Sequence, residues 1–476
     1  MKNIILIQPR IGDLDDVNKH PFLPLGLLST SRFISRDYNI KIIDQRINKN
    51  WRKELKKELN KKTLFVALTV MTGPQVDSAT KISKFIRKHS DTQIVWGGPH
   101  ATHFEKTISH NFIDIVVIGE GELTFYELAN ALKEERSLVD IKGIVFKKHD
   151  KIIRNPERSP IRMDILPTLP LNLIDVKLYT SQKPSFWTFD SSRGCPHDCI
   201  FCRNSAPFLH SQWRGFSAKS MYERVKHLLK HKKTDYIWFI DDNFFADIKR
   251  IKSFIRIIKE NRLKFKWIVS GTFDVLANQK DSFFSDLHQS GCRMIHMGIE
   301  SGSSKIVKFL KNKELNKKKI LALNKKLKKY RIIPYYNFMV GNYKEKISDV
   351  KKTAKFMLKL QKDYPNARFS VMYSLALYPH TKLFNYLLDK NIIKPNKDDK
   401  SYANWDTPST PWITSKMQKL IEGFTFCSLF FDKKYQLVDS KYVKLFAFLY
   451  RPIALFRVKN MYFNHMPEKR LKYIFN

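Results

Sequence analysis

Cysteine is scarce in this chain, with five in 476 residues. An odd and low number excludes a disulfide scaffold, and free thiols fit a reducing cytoplasm. Long apolar runs are missing as well: none reaches the roughly 18 residues of a membrane-spanning helix. The opening stretch Met1–Pro9 has a short apolar segment and no small-residue cleavage site, so it reads as a first strand and not a secretory signal. Acidic residues are few, 45 against 86 Lys and Arg, for a formal net charge of +41. Such an excess points to nucleic acid, an anionic membrane surface or a phosphorylated substrate. A Lys-rich proteome is the plainer source, since Lys, Ile and Asn abound throughout. The run Lys317–Lys329 places Ile320, Leu323 and Leu327 at helical spacing, which makes it a solvated amphipathic helix before a binding patch. No RNA-recognition motif or zinc-finger histidine pair is present. Hydrophobic content is 43%, ordinary for a globular protein, and the length suits two or three domains.

Three of the five cysteines crowd into one stretch, Ser191-Ser192-Arg193-Gly194-Cys195-Pro196-His197-Asp198-Cys199-Ile200-Phe201-Cys202. A strand-like run, Phe186–Asp190, leads into it, and Gly194 and Pro196 break that strand into a loop. Short spacing lets three thiolates converge on one centre, which suits an iron–sulfur cluster or zinc. A structural zinc site closes with four ligands, and no fourth is obvious, although His197 and His210 are near. Three thiolates on a four-iron cluster leave one iron open to a substrate.

The chain reads as two α/β units and a tail. Over residues 1–140, short apolar strands (Ile4–Ile7, Ile40–Asp44, Leu64–Val70, Ile94–Gly98, Ile113–Ile118) alternate with helices, one opening at Pro24 and running to about Ser35, another over Gln75–Arg87. This is the pattern of a doubly wound parallel sheet. Ligands of such sheets lie beyond the strand carboxyl ends, where Gly26, Gly97, Gly98, Gly119 and Gly121 offer bare backbone. Residues 141–182 form a hairpin, turning at His149-Asp150-Lys151, and a Pro-rich linker. Over residues 183–385 six strands end in polar or glycine residues: the strand before Cys195, then Tyr236–Ile240, Phe265–Val269, Arg293–Ile299, Ile332–Val340 and Phe369–Tyr373. Six such units suit a partial (β/α)6 barrel. Cys292 and Cys427 read as buried structural cysteines.

The cysteine loop resembles that of the radical S-adenosylmethionine (SAM) superfamily, with Phe201 before the last cysteine and Arg193-Gly194-Cys195-Pro196 flanking the first. The resemblance covers about residues 183–385. It implies that Cys195, Cys199 and Cys202 hold a 4Fe-4S cluster whose open iron takes the amino and carboxylate groups of SAM. An external donor of flavodoxin or ferredoxin type supplies the electron that cleaves SAM to a 5′-deoxyadenosyl radical. Asp241-Asp242-Asn243 matches a motif near the SAM amino group. Gly298–Gly302 matches one that puts Glu300 and Ser301 near SAM, and Ser270 joins them as a candidate cofactor contact. The sequence departs from relatives at Thr272, where arginine is frequent, and at Gly341–Lys346 and Tyr378–Thr381.

Residues 1–140 resemble the cobalamin-binding domain that precedes the barrel in one large subfamily. The matches are Pro24–Leu28, Asp44, Trp96–Thr102 and Asp114–Glu122. The Asp-x-His-x-x-Gly signature of cobalt-ligating histidine is absent, and His100 and His103 are loop histidines first. The resemblance implies a Rossmann-like sheet, a radical SAM barrel and, over residues 386–476, a mainly helical region. Residues 401–476 hold 17 aromatics and 12 Lys and Arg against five Asp and Glu. They either pack across the barrel or lie on a membrane surface, and Arg451-Pro452 splits their apolar runs.

The leading expectation is a cytoplasmic radical SAM enzyme that uses cobalamin to methylate a carbon of a small molecule. A second reading is a cobalamin-independent radical enzyme acting on a lipid or isoprenoid, peripheral to the membrane. A third is an iron–sulfur or zinc protein that binds nucleic acid.

Overall fold

The computed structural model describes residues 1–12, 15, 21–149, 151–206, 212–373, 377–394, 410–431 and 441–468. His210 and Asp150 therefore lie outside the described residues. Strands β1 (Asn3–Gln8), β2 (Asn39–Asp44), β3 (Thr63–Thr69), β4 (Gln93–Gly97) and β5 (Ile115–Val117) form a parallel sheet in the order β2-β1-β3-β4-β5. Ile4 to Ile7 are all buried, as they must be in a sheet with helices on both faces. The order reverses between β1 and β3, and this switch point opens a crevice at the strand carboxyl ends.

Three features depart from the sequence expectation. The hairpin β6 (Ile144–Lys148) and β7 (Lys151–Arg154) is no separate unit. β6 pairs antiparallel with β5, so the sheet has seven strands and the break placed at residue 140 falls inside it. A helix over Trp51–Glu58 was not anticipated, because Trp51 and Leu55 are its only buried residues and the rest of its sequence is mostly charged. The helix opened by Pro24 is also shorter, Leu25–Thr30, and turns continue from there.

After the linker, β8 (Phe186–Phe189) starts a second sheet. Two-residue strands β9 (Ser192–Arg193) and β10 (Arg214–Gly215) pair antiparallel and close off the cysteine loop between them. Strands β11 (Tyr236–Phe239), β12 (Trp267–Gly271), β13 (Cys292–Glu300), β14 (Ile333–Val340) and β15 (Arg368–Tyr373) complete a six-stranded parallel sheet, ordered β8-β11-β12-β13-β14-β15. This is the expected partial barrel. The Lys317–Lys329 helix buries Ile320, Leu323, Asn324 and Leu327, so most of its lysines face solvent.

The open edge at β15 is covered by the helix Ser415–Ser428, with Phe431 set edge-on to Phe369 at 5.8 Å between centroids. Covering an edge in this way blocks strand addition. A second helix, Lys441–Asn460, runs unbroken through Pro452 and packs on the first. Among the described residues no helix is long and apolar enough to cross a membrane. Cys292 and Cys427 are both buried.

Candidate active site

The cysteine loop is pinned at its start and in its middle. At its start, Asp241 accepts hydrogen bonds from the Ser191 amide (2.6 Å), the Ser191 hydroxyl (2.5 Å) and the Ser192 hydroxyl (2.7 Å). Burial pushes this carboxyl up to about 6 against the pull of Arg250 and the serines. Asp242 then accepts from the Gly194 amide at 3.2 Å. Mid-loop, the Ile200 amide donates to the Leu310 carbonyl at 3.0 Å, and the Ile200 carbonyl accepts from the Leu383 amide at 2.8 Å. The loop is thus held by β11, by the Ser304–Lys311 helix and by the Lys382–Asp389 helix. The thiols are part-buried and raised by that burial, Cys199 to about 11 with Lys311 opposing. Backbone amides of His197 and Asn204 point at Cys195 and Cys202. Asn243 is fully buried beside Cys195, and its amide meets no other partner in the described protein.

Those donors and the Lys311 ammonium fit thiolates bound to iron. Among the described residues no three His, Cys, Asp or Glu side chains close on a single ion.

Glu300 ends β13 in the left-handed region, at φ 67. Its carboxylate pairs with Lys311 at 2.9 Å, and Lys311 also donates to the Gly298 carbonyl at 2.7 Å. A Cβ at Gly298 would overlap the Glu300 carboxylate, so a larger residue there would have to push that carboxylate aside. His197 reaches the Thr272 hydroxyl at 3.2 Å. The turn after β14 is closed by Glu345, which accepts from the amides of Gly341 (2.7 Å) and Asn342 (3.0 Å), and burial pushes its carboxyl up to about 7.

The strand ends of both sheets meet on one cavity of about 450 Å³. From the first sheet Gly26, Gly97, Gly98, Gly119 and Gly121 line it; from the second, Asp190, Arg193, Gly194, Arg203, Asn204 and Asp242 do. Gly98 sits at φ +92, and a Cβ there would press on the Val70 backbone at 3.1 Å. At Gly119 an added Cβ would meet nothing within 4 Å, so that backbone faces open space. His103 lines the same cavity and is lowered to about 4, by burial and then by His380. His100 does not reach it. Its ring is fully buried, next to the Thr72 hydroxyl at 3.3 Å, and burial lowers it to about 3.

Arg193, between the two halves, stands in the sequence only as part of the flank of the first cysteine. It pairs with Glu122 at 2.6 Å, with Glu120 at 3.2 Å and with Asp190 at 3.2 Å. Arg214 adds a 2.8 Å pair to Glu120. Burial alone would raise the Glu122 carboxyl, but Arg193 outweighs it and holds it at about 2. The residue before the first cysteine turn is thereby tied to the glycine-lined loop of the other sheet.

Of the residues singled out in the sequence, the five glycines and Asp242 meet on the cavity, and the three cysteines, Asn243 and Glu300 cluster at its barrel side. Two are committed elsewhere. Asp241 spends its carboxylate on Ser191 and Ser192. The Ser301 hydroxyl meets Thr353 at 3.1 Å and accepts from the Ser303 amide at 3.1 Å. Ser270 is half-buried at the end of β12, paired in register with His296.

Residues 190–357 match the family model of the radical SAM superfamily, and residues 17–129 match that of the B12 binding domain. An uncharacterized methyltransferase of Pyrococcus horikoshii is 30% identical over 399 residues, covering 83% of this chain and 84% of the relative. Among solved structures, the cobalamin-dependent SAM radical enzyme OxsB with aqua-cobalamin bound superposes with a TM-score of 0.77 at 18% identity, over 100% of this chain and 74% of that one. The radical SAM methyltransferase TsrM from Kitasatospora setae, with cobalamin and a [4Fe-4S] cluster bound, gives 0.68 at 16% identity over 85% and 81%.

Proposed function

The chain belongs to the radical SAM superfamily and carries a B12 binding domain, and from that premise we propose that it methylates a carbon of a small molecule with cobalamin as methyl carrier. The observation that carries this reading is the single cavity on which the glycine-lined strand ends and the cysteine loop converge. Bound there, a 4Fe-4S cluster would supply the electron for reductive cleavage of SAM, and cobalamin would supply a methyl carrier. Cys195, Cys199 and Cys202 would hold the cluster, with Asn243 and the Lys311 ammonium facing its ligands. Glu300, paired with Lys311, and Asp242 would offer carboxylates to the SAM ammonium. Gly26, Gly97, Gly98, Gly119 and Gly121 would leave room for the corrin. The electron comes from an external flavodoxin- or ferredoxin-type donor in a reducing cytoplasm.

Anaerobic turnover with SAM and a low-potential reductant tests the reading. Methylation yields 5′-deoxyadenosine and S-adenosylhomocysteine together. Deoxyadenosine without S-adenosylhomocysteine would exclude methyl transfer and retain the radical step. The lipid and isoprenoid reading of the substrate finds no support in the relatives.

A further inference from the structure

The Lys441–Asn460 helix is half spoken for. Ala447, Tyr450, Ala454 and Val458 repeat at three- and four-residue steps and are buried. They pack it onto the Ser415–Ser428 helix, with Tyr450 4.7 Å from Phe430 between centroids. The Tyr450 hydroxyl donates to Glu468 at 2.6 Å, and Glu468 pairs with Arg457 at 2.8 Å. The opposite face is unlike a solvated one. Leu445 (58% exposed), Phe448 (72%), Leu449 (62%), Ile453 (49%) and Phe456 (61%) follow the same helical spacing along the outside. Contiguous exposed apolar surface of this kind marks an interaction site.

Charge selects the occupant. Residues 441–468 carry five Lys and Arg against one acidic residue, Glu468; Arg457 is taken up by that acid, which leaves four cations in excess. A second copy would bring one chain of net charge +41 against another, which opposes self-association. A nucleic acid would be met by cations across the face, where this helix presents leucine, isoleucine and phenylalanine. An anionic bilayer satisfies both features, because its acyl boundary takes the apolar stripe and its headgroups attract the flanking Lys and Arg.

We propose that the Lys441–Asn460 helix docks the protein on an anionic lipid bilayer, lying in the headgroup plane with Leu445, Phe448, Leu449, Ile453 and Phe456 turned inward. The helix packs on the Ser415–Ser428 and Ile347–Asp363 helices, which leaves this apolar face turned away from both.

Co-flotation of the full chain, loaded with its cofactors, with vesicles of phosphatidylglycerol and phosphatidylcholine tests this without turnover, so its outcome is independent of the methyl-transfer reading. The protein should float with the mixed vesicles, weakly with pure phosphatidylcholine, and less as salt rises. Phe448→Glu and Phe456→Glu should each lower the partition about tenfold or more, and Phe448→Ala by less. Iron content and melting temperature should stay as in the parent, since both rings face solvent. Failure to float with the mixed vesicles, or flotation unchanged in the double Phe→Glu variant, overturns the proposal. A lipid-free dimer that dissociates in that variant also overturns it, in favour of a second copy.

Discussion

The two sheets meet the same cavity with opposite materials. The first sheet presents backbone: five glycines, two of them, Gly98 and Gly119, at positive φ. The second presents charge and sulfur: Asp190, Arg193, Arg203 and Asp242 on the wall, with Cys195, Cys199 and Cys202 in the loop behind. Bare backbone recognises a large flat group by shape and asks little of its charge. Thiolates, carboxylates and ammonium groups recognise by coordination and sign. One cavity therefore carries two kinds of selectivity, and Arg193 with Glu120 and Glu122 locks the two walls together.

Mutations on each wall should separate these roles. The largest effect is expected from Cys199→Ala, which removes one of three ligands. It should lose all cluster iron and all SAM cleavage, read as iron per chain and 5′-deoxyadenosine, and still bind cobalamin. Next is Gly97→Leu. A Cβ there makes only ordinary contact, 3.7 Å from Val117, so the fold should tolerate it while the side chain enters the cavity. Cobalamin affinity should fall on the order of a hundredfold with iron unchanged. Loss of both cofactors together would erase the distinction between the walls.

The seam comes third. Glu122→Gln leaves Arg193 short of its nearest carboxylate in a buried site, and should cost about 3 kcal/mol in a melting experiment. A pH series sharpens the point. The Glu122 carboxyl is held at about 2, below its ordinary 4.5. Its contribution is therefore full above pH 4.5 and is lost as pH falls toward 2. The parent should lose stability across that window more steeply than the Gln variant. Smallest of all, Phe448→Glu on the outer helix should change melting stability by no more than about 0.5 kcal/mol and leave iron and cobalt content alone.

The features legible in the sequence are those with local signatures. The cysteine spacing, the strand-end glycines and the six apolar strands of the barrel all announce themselves within a few residues. What was not legible depends on partners far along the chain. Nothing near Arg193 says that it will meet Glu122, 71 residues away, across a seam. The hairpin over Ile144–Arg154 shows its own alternation but not that β5 is its neighbour. Asp241 and Asp242 look alike in sequence, and only the register of β8 beside β11 decides which one faces Ser191 and Ser192 and which faces the cavity. For the Lys441–Asn460 helix, composition showed aromatics and cations but not which side would be left uncovered, because that depends on where the Ser415–Ser428 helix packs.

The most direct test of the shared cavity is iron and cobalt per chain after anaerobic reconstitution with iron, sulfide and hydroxocobalamin, in the parent and in Gly97→Leu. The account expects about four irons with about one cobalt in the parent, and the iron alone in the variant. Zinc in place of iron, or cobalt that survives Gly97→Leu undiminished, would contradict it.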